Sequence, residues 1–167
     1  RSIVELNPTF EPEPNRWSLP DPLEVPEGVD LAGVGADLSP GTLLAAYRSG
    51  LFPMHVDVWD ERRLGWWSPD PRGVLPVGGA HIARSLRRSA RGMRTTCDTA
   101  FRDVMTACAR EHDGEAWILP EFVDAYSELF ALGWAHSIEV WDDNDILIGG
   151  LYGVAINGLF AGESMFH

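Results

Sequence analysis

The spacing of hydrophobic positions predicts a short helix that begins near residue 40. The apolar residues of this segment are close enough in helical register to share one face: Leu43, Leu44 and Tyr47. Ser39 is typical of an N-cap and Pro40 of the first helical position. Gly50 is typical of a helix end. We therefore predict a helix from Pro40 to about Gly50, with its apolar face turned toward a core.

Two amphipathic helices are predicted in the second half of the chain. The first follows Asp98, which we expect to cap it, and its apolar stripe consists of Phe101, Val104, Met105 and Cys108. The second opens at Pro120 and ends at Gly133. Both stripes have the width expected of helices that pack on a sheet.

Residues 136–167 show a different pattern, in which β-branched and other apolar residues alternate with polar or small ones. Two turn signals interrupt the alternation, Asp-Asp-Asn-Asp at 142–145 and Asn-Gly at 157–158. The pattern predicts an antiparallel meander. Helices followed by such a meander give an α+β fold.

Prolines mark the segments that we expect to be irregular. Six of them fall within the first thirty residues, which predicts extended chain draped over a core. The sequence Trp-Trp-Ser-Pro-Asp-Pro-Arg at 66–72 predicts a strand that runs into a rigid turn, and we expect two modules to join there. The chain starts without methionine and stops just after an apolar strand, so we also expect that C-terminal elements are missing.

Charge is distributed unevenly along the 167 residues. The net charge is −12, and all 13 basic residues are arginine. Residues 81–110 nevertheless contain 7 basic and 2 acidic residues. A helix there would align four arginines on one face: Arg84, Arg87, Arg88 and Arg91. Guanidinium groups so arranged suit phosphate binding, but a solvated face beside acidic neighbours fits the charge pattern equally well.

No motif for a metal or a cofactor is present in the sequence. Cys108 and His112 are four residues apart, but no paired ligand spacing of the zinc type occurs. A phosphate-binding loop of the Walker type requires a lysine, and the chain has none. Ser164 lacks the glycine that a nucleophile elbow needs two residues later, where Phe166 stands. We expect neither metal nor cofactor.

Hydropathy gives no indication of a membrane protein. No apolar run approaches the ~18 to 20 residues that cross a bilayer, and the first residues lack the apolar stretch of a signal peptide. The hydrophobic fraction of 45% is ordinary for a globular protein. We expect a cytoplasmic protein without a membrane partner.

One carboxylate and several tryptophans are candidates for function. Glu163 stands between Phe160 and Phe166 in a strand that is otherwise small or apolar, and a buried carboxylate is costly unless it is paired or used. An edge residue that faces water is the alternative. Trp66, Trp67 and Trp117 are able to stack on unpaired bases, although tryptophans belong to the core more often.

Five long motifs together resemble the bacterial leucyl/phenylalanyl-tRNA–protein transferases. They are, in chain order, ADLSPGTLLAAYRSGLFPM, WWSPDPR, HIARSLRR, AHSIEVW and GGLYGVAINGLFAGESMF. The resemblance runs from about residue 33 to the last residue. It implies a small N-terminal domain over residues 1–67. Residues 68–167 would form a larger domain with the fold of the N-acetyltransferase superfamily, a mixed sheet flanked by helices that is incomplete at its C-terminal end.

The resemblance also implies an activity. Members of the family transfer Leu or Phe, and less readily Met, from aminoacyl-tRNA to proteins that begin with Arg or Lys, which marks these proteins for degradation. An aminoacyl ester is already activated, so the reaction needs no metal and no organic cofactor. The partners implied are aminoacyl-tRNA and acceptor proteins with an N-terminal Arg or Lys.

The site residues implied by the resemblance fall into three groups. Leu151, Phe160 and Glu163 match the pocket for the aminoacyl side chain, and Glu163 is also the expected catalytic carboxylate, which orients the aminoacyl group or its amine. Trp117 and Met54 match the pair that stacks on the terminal adenosine, and many relatives carry Trp at the second position. The basic patch for the acceptor stem matches the four arginines: Arg84, Arg87, Arg88 and Arg91.

Two other functions remain as alternatives. The proton-handling Asp and Gln of the family lie beyond the last residue of this chain, so a non-catalytic tRNA-binding fragment is the main rival. An acyl-CoA-dependent acetyltransferase would share the fold. It would need an Arg/Gln-x-x-Gly-x-Gly/Ala loop for the pyrophosphate, which the sequence lacks.

Overall fold

The computed structural model of the chain describes residues 8–111 and 118–167. The strands are β1 (Leu31–Val34), β2 (Phe52–Val58), β3 (Glu61–Trp67), β4 (Arg94–Cys97), β5 (Ala135–Trp141), β6 (Leu147–Ile156) and β7 (Leu159–Phe166). The α-helices are α1 (Pro40–Arg48), α2 (Arg84–Ser89), α3 (Phe101–Glu111) and α4 (Pro120–Ala131). The predicted α+β class is confirmed.

A small antiparallel sheet precedes the rest of the fold, with strand order β1-β3-β2. Its β2–β3 hairpin turns at Trp59 and Asp60, both of which have positive φ (50° and 64°). The sequence analysis did not predict this hairpin, because neither Gly nor Asn occupies the turn. Strand β2 is an edge of the small sheet.

Helix α1 begins at Pro40 as predicted, and Gly50 beyond its end has the left-handed φ of 83° that glycine adopts readily. Ser39 occupies the N-cap position, but its side chain makes no capping hydrogen bond. Its hydroxyl instead donates to the carboxylate of Asp37 (2.7 Å), which also accepts from the Thr42 hydroxyl (2.7 Å). Asp37 therefore gathers the polar groups at the start of the helix.

The predicted meander is the larger sheet, antiparallel throughout the described residues, with strand order β4-β5-β6-β7. The Asn-Gly turn joins β6 to β7 with positive φ at both residues. Helices α3 and α4 pack on this sheet, and the predicted stripe of α3 is buried: Phe101, Val104, Met105 and Cys108. Strand β7 is an edge of the larger sheet.

The prediction that Asp98 caps α3 is wrong. The helix begins at Phe101, and the Asp98 carboxylate accepts a hydrogen bond from the backbone N–H of Ser137 (2.9 Å) and contacts His136 Nδ1 (2.8 Å). The backbone N–H of Ala100, next to the helix, donates to Glu139 (3.3 Å) instead. The buried carboxylate of Glu139 on β5 therefore accepts a hydrogen bond from the backbone at the start of this helix.

Glu139 is fully buried yet well satisfied. Burial alone would raise its pKa, but hydrogen bonds from neighbouring hydroxyls and from the Ala100 N–H outweigh that effect and lower it. The hydroxyl donors are Ser137 (2.5 Å), Thr96 (2.5 Å) and Thr99 (2.9 Å). This cluster ties β4, β5 and the start of α3 together.

Residues 8–30 run over the core mainly as extended chain. A 3₁₀ turn at Pro22–Glu24 and a turn closed by the Val29 N–H donating to the Pro26 carbonyl (3.1 Å) interrupt it. The backbone N–H of Phe10 donates to the Leu132 carbonyl (2.9 Å), and the Trp134 indole donates to the Phe10 carbonyl (2.9 Å). The predicted draping is thus confirmed for residues 8–30. Within the described parts of the chain, no helix is long and apolar enough to span a membrane.

Candidate active site

A cleft of about 730 Å³ lies between the two sheets. Its walls are edge strand β2, edge strand β7 and the loop of residues 69–77 that follows the small sheet. The residues that line it are Tyr47, Phe52, Met54, Pro69, Arg72, Gly73, Val74, Leu75, Val77, Gly158, Leu159, Phe160, Ala161, Gly162 and Glu163. This volume falls within the range of pockets that hold small molecules.

A break in strand pairing sets the position of Glu163. Ser164 pairs with Tyr152, whereas the next pair along the ladder joins Gly162 to Gly153. Glu163 is therefore the extra residue of a β-bulge, opposed by no residue of β6. Bulges re-aim side chains and are common beside active sites. Here the bulge accompanies a carboxylate that faces the cleft.

Three tyrosines surround this carboxylate. Tyr47 on α1 and Tyr126 on α4 share a hydroxyl–hydroxyl hydrogen bond, and their rings meet edge to face at 6.5 Å. The Tyr152 ring packs against that of Tyr126 at 5.5 Å. Burial, together with the negative charge of Glu163, raises the pKa of all three tyrosines. They therefore remain neutral hydrogen-bond donors at physiological pH.

The pKa of Glu163 is raised to about 7 because burial penalises its charged form. Hydrogen bonds from Tyr47 and Tyr126 and the positive charge of Arg72 act in the opposite direction and limit the rise. At neutral pH the protonated and ionised forms of the group are therefore comparably populated. Such a carboxyl group is able both to accept and to donate a proton.

Apolar side chains occupy both walls of the cleft. Phe160 on β7 is 43% exposed, and its ring crosses Gly153, where an added Cβ would lie 2.7 Å from the ring. Phe52 and Met54 face the cleft from β2. Leu151, the third predicted pocket residue, lies on β6 opposite Met165 and does not line this cleft. The structure thus brings Met54, Phe160 and Glu163 together.

The tryptophans adjoining the cleft have structural roles. Trp66 is buried, and its indole donates to the Gly35 carbonyl (2.9 Å). The Trp67 indole donates to the Met54 carbonyl (3.0 Å), which holds β2 beside β3. Both observations favour the core alternative over stacking on bases. Trp117, the predicted partner of Met54, lies outside the described residues.

Comparison with known proteins identifies two family models. That of the leucyl/phenylalanyl-tRNA protein transferase matches residues 74–167, and that of its N-terminal domain matches residues 36–70. The chain belongs to the leucyl/phenylalanyl-tRNA–protein transferase family.

Three bacterial relatives within the transferase family illustrate the similarity. Each carries the name leucyl/phenylalanyl-tRNA–protein transferase. The relative from Tolumonas auensis is 47% identical over 99% of this chain, and the relative from Aromatoleum aromaticum is 51% identical over 86%. The relative from Yersinia enterocolitica is 46% identical over 90% of this chain. These matches span 68%, 60% and 63% of the relatives' own lengths.

The arginines that the transferase resemblance implies for the acceptor stem lie apart from the cleft. Helix α2 has only six residues and carries Arg84, Arg87 and Arg88, whereas Arg91 falls in the 3₁₀ turn Ala90–Gly92. All four are exposed, and none lines the cleft. The described part of the chain gives them no ion-pair partner. They form an open cationic face.

The sequence analysis missed four contributors to this site. Tyr47 was predicted only as an apolar helix position, and Tyr126, Tyr152 and Arg72 were not singled out. Tyr47 and Tyr126 are 79 residues apart, so no local spacing indicates that their hydroxyls meet. In residues 8–111 and 118–167 no group of three His, Cys, Asp or Glu side chains comes together to hold a metal.

Proposed function

We propose that this chain takes part in the transfer of Leu, Phe and less readily Met from aminoacyl-tRNA to the N-terminal Arg or Lys of proteins, which marks them for degradation. The observation that carries the proposal is the carboxyl group of Glu163, which a β-bulge places in a cleft lined by Met54 and Phe160. Burial there raises its pKa to about 7. The name of the relatives, leucyl/phenylalanyl-tRNA–protein transferase, supports the transfer of Leu or Phe from tRNA to protein. The bacterial cytoplasm, where charged tRNA occurs, is the proposed location.

The reaction requires little chemistry from the protein. The neutral amine of the acceptor attacks the ester carbonyl, a C–N bond forms, and the bond to the ribose oxygen breaks. The nitrogen loses one proton and the departing ribose oxygen gains one. The pKa of Glu163 is close to that of an α-amino group, which is about 7.7 to 8. The carboxyl group is therefore suited to form a hydrogen bond with the amine of either substrate.

We assign the walls of the cleft to different parts of the donor. The aminoacyl side chain lies against Phe160, and the terminal adenosine packs against Met54. A polarisable thioether is able to pack on a base. Leu151 lies off the described cleft, so we assign the pocket to Phe160 and Glu163 foremost. We also propose a division into residues 1–67 and 68–167. The two family models, which match residues 36–70 and 74–167, support a division close to this point.

A transfer assay tests the proposal. Labelled Leu on tRNA is offered to a peptide that begins with Arg and to one that begins with Asp, with the full-length relative from Tolumonas auensis as the positive control. We expect this chain to label the Arg peptide alone. Labelling of the Arg peptide by the relative, but not by this chain, would contradict the catalytic assignment.

A non-catalytic tRNA-binding role is the second candidate, and one observation favours it. The cationic face of α2 is separate from the cleft, so tRNA could bind there without any transfer reaction in the cleft. Binding that is indifferent to the amino acid on the tRNA would identify this role. Preference for leucyl-tRNA over uncharged tRNA would support the transferase.

The double substitution Arg84→Glu with Arg88→Glu is expected to weaken tRNA binding. Each arginine that neutralises a phosphate contributes close to one unit to the slope of log affinity against log salt, so the slope should become shallower by roughly two. A salt titration of tRNA binding measures both effects. Substitution of Arg62 and Arg63 by Glu, on β3, provides the control with the same change of charge. If affinity and slope are unchanged in the α2 variant, the RNA face lies elsewhere.

Phe160→Ala is expected to reduce discrimination between donors. The ring supplies apolar surface to the proposed aminoacyl pocket, and its loss should lower the preference for Leu over Ala by about 10-fold or more. Competition between leucyl-tRNA and alanyl-tRNA in the transfer assay measures this ratio. Met165→Ala, an exposed apolar residue on the same strand but outside the cleft, is the matched control. Equal discrimination in the two variants would remove Phe160 from the pocket.

A further inference from the structure

Arg72 is a cleft residue to which neither the sequence nor the family resemblance assigned a role. It is the one cationic side chain among the described residues that line the cleft, and Glu163 is the one anionic side chain there. Four other arginines of the described chain form ion pairs with carboxylates, whereas Arg72 forms none. Its charge lowers the pKa of Glu163 but forms no ion pair with it, so the guanidinium is available to a ligand.

The Arg72 side chain is held in place by contacts that leave most of its N–H donors free. One guanidinium nitrogen, Nη2, donates to the Gly50 carbonyl (2.8 Å), and the guanidinium lies over the Phe52 ring, 5.9 Å from its centre. A guanidinium carries five N–H donors, so this anchor leaves four for another acceptor. An arginine held in place with free donors is preorganised to bind an anion such as phosphate, for which its planar fork is suited.

The position of Arg72 relative to Met54 suggests which anion it binds. Phe52 and Met54 are two residues apart on β2 and so face the same side of the strand, separated by about 6.7 Å along it. Arg72 stands at the Phe52 end of this pair. The guanidinium is therefore near enough to Met54 to reach a phosphate attached to the ribose of a nucleoside packed there.

We propose that Arg72 binds the phosphodiester on the 5′ side of the terminal nucleoside of the donor. The inference rests on the proposed function, because it takes the Met54 wall as the nucleoside site. It adds to the cleft a phosphate site distinct from the cationic face of α2. The donor would then be held at three points: the aminoacyl side chain, the nucleoside and the first phosphate.

The test compares two non-hydrolysable probes, leucyl-adenosine linked through a 3′-amide, with and without a 5′-phosphate. Calorimetry is expected to show that the chain binds the phosphorylated probe about 10- to 100-fold more tightly. Arg72→Gln should abolish this advantage, whereas any effect of the variant through the pKa of Glu163 should change the affinity for both probes by the same factor. Arg72→Lys, which keeps the charge but loses the fork, should retain part of it.

Arg62→Gln on β3 is the matched control, because it removes an exposed arginine outside the cleft. It should bind both probes as the unaltered chain does. Equal affinity of the unaltered chain for the two probes, or an advantage that persists in Arg72→Gln, would overturn the phosphate assignment and leave the proposed function standing. A purely structural role of Arg72 predicts that Arg72→Gln weakens the binding of both probes by the same factor and keeps the advantage of the phosphorylated probe, which would also overturn the phosphate assignment. Failure to bind either probe would remove both proposals.

Discussion

Replacement of Glu163 by Gln is expected to make the chain more stable above pH 7 and to abolish most of the proposed transfer activity. The carboxyl group has a pKa of about 7 in the folded chain, against an ordinary value of 4.5. Between these two values the folded state holds a proton that the unfolded state has released. Stability therefore falls as the pH rises from 4.5 to 7, and the penalty is fully present above pH 7.

Glutamine has nearly the same shape and no charge, so Glu163→Gln removes this penalty. We expect a gain of about 2–3 kcal/mol in the free energy of unfolding at pH 8, and none below pH 4.5. Urea unfolding measured from pH 4 to pH 8 tests this expectation. Glu128→Gln, on an exposed face of α4, is the matched control and should follow the curve of the unaltered chain. Parallel curves for Glu163→Gln and the unaltered chain would show that the carboxyl group is not desolvated.

Transfer by Glu163→Gln should fall by about 10²-fold or more, because the variant loses the carboxyl group that positions the reacting amine. The two effects have opposite signs at pH 8, since stability rises while activity falls. A variant that is merely misfolded would lose both. This combination separates a functional carboxylate from one that only fills space.

Gly153→Ala is expected to cause the largest loss of stability among single-methyl additions to the larger sheet. The added Cβ would lie 2.2 Å from the carbonyl oxygen of Ala161 and 2.7 Å from the Phe160 ring. Backbone cannot yield as a flexible side chain does, so β7 would have to move away from β6. We expect a cost of about 2–3 kcal/mol and a fall in the melting temperature of roughly 5–10 °C.

Gly162→Ala provides a control one strand away. Gly162 pairs with Gly153 across the ladder, but a Cβ there would have only the Phe160 ring as a neighbour, at 4.0 Å. Thermal unfolding should therefore be unchanged or slightly raised. Gly153→Ala should also shift Phe160 and so lower the preference for Leu over Ala in transfer. Equal melting temperatures for the two variants would contradict the close approach.

The sequence predicted the elements whose ends carry a characteristic capping or turn residue. Helix α1 was predicted from its first proline and from Gly50, and the β6–β7 turn from its Asn-Gly pair. The cap of α3 was predicted wrongly because Asp98 has the right residue type at nearly the right position. The carboxylate that serves that helix, Glu139, comes from a strand about forty residues later.

The candidate site was predictable only in part, because its residues come from segments far apart in the sequence. The apolar neighbours of Glu163 indicated an unusual carboxylate, and that expectation agrees with its raised pKa. The bulge that re-aims it depends on how β7 pairs with β6, which no residue of β7 alone reveals. The tyrosine hydroxyls and Arg72 reach the cleft from distant segments, so their contribution became apparent only in three dimensions.

The two walls of the cleft come from different parts of the fold. One wall comes from the edge of the small sheet and the other from the edge of the larger sheet, and Tyr47 and Tyr126 bridge the two halves. Neither half encloses the cavity alone. A change that displaces either half would therefore open the pocket, so we expect the site to require both halves in their native arrangement.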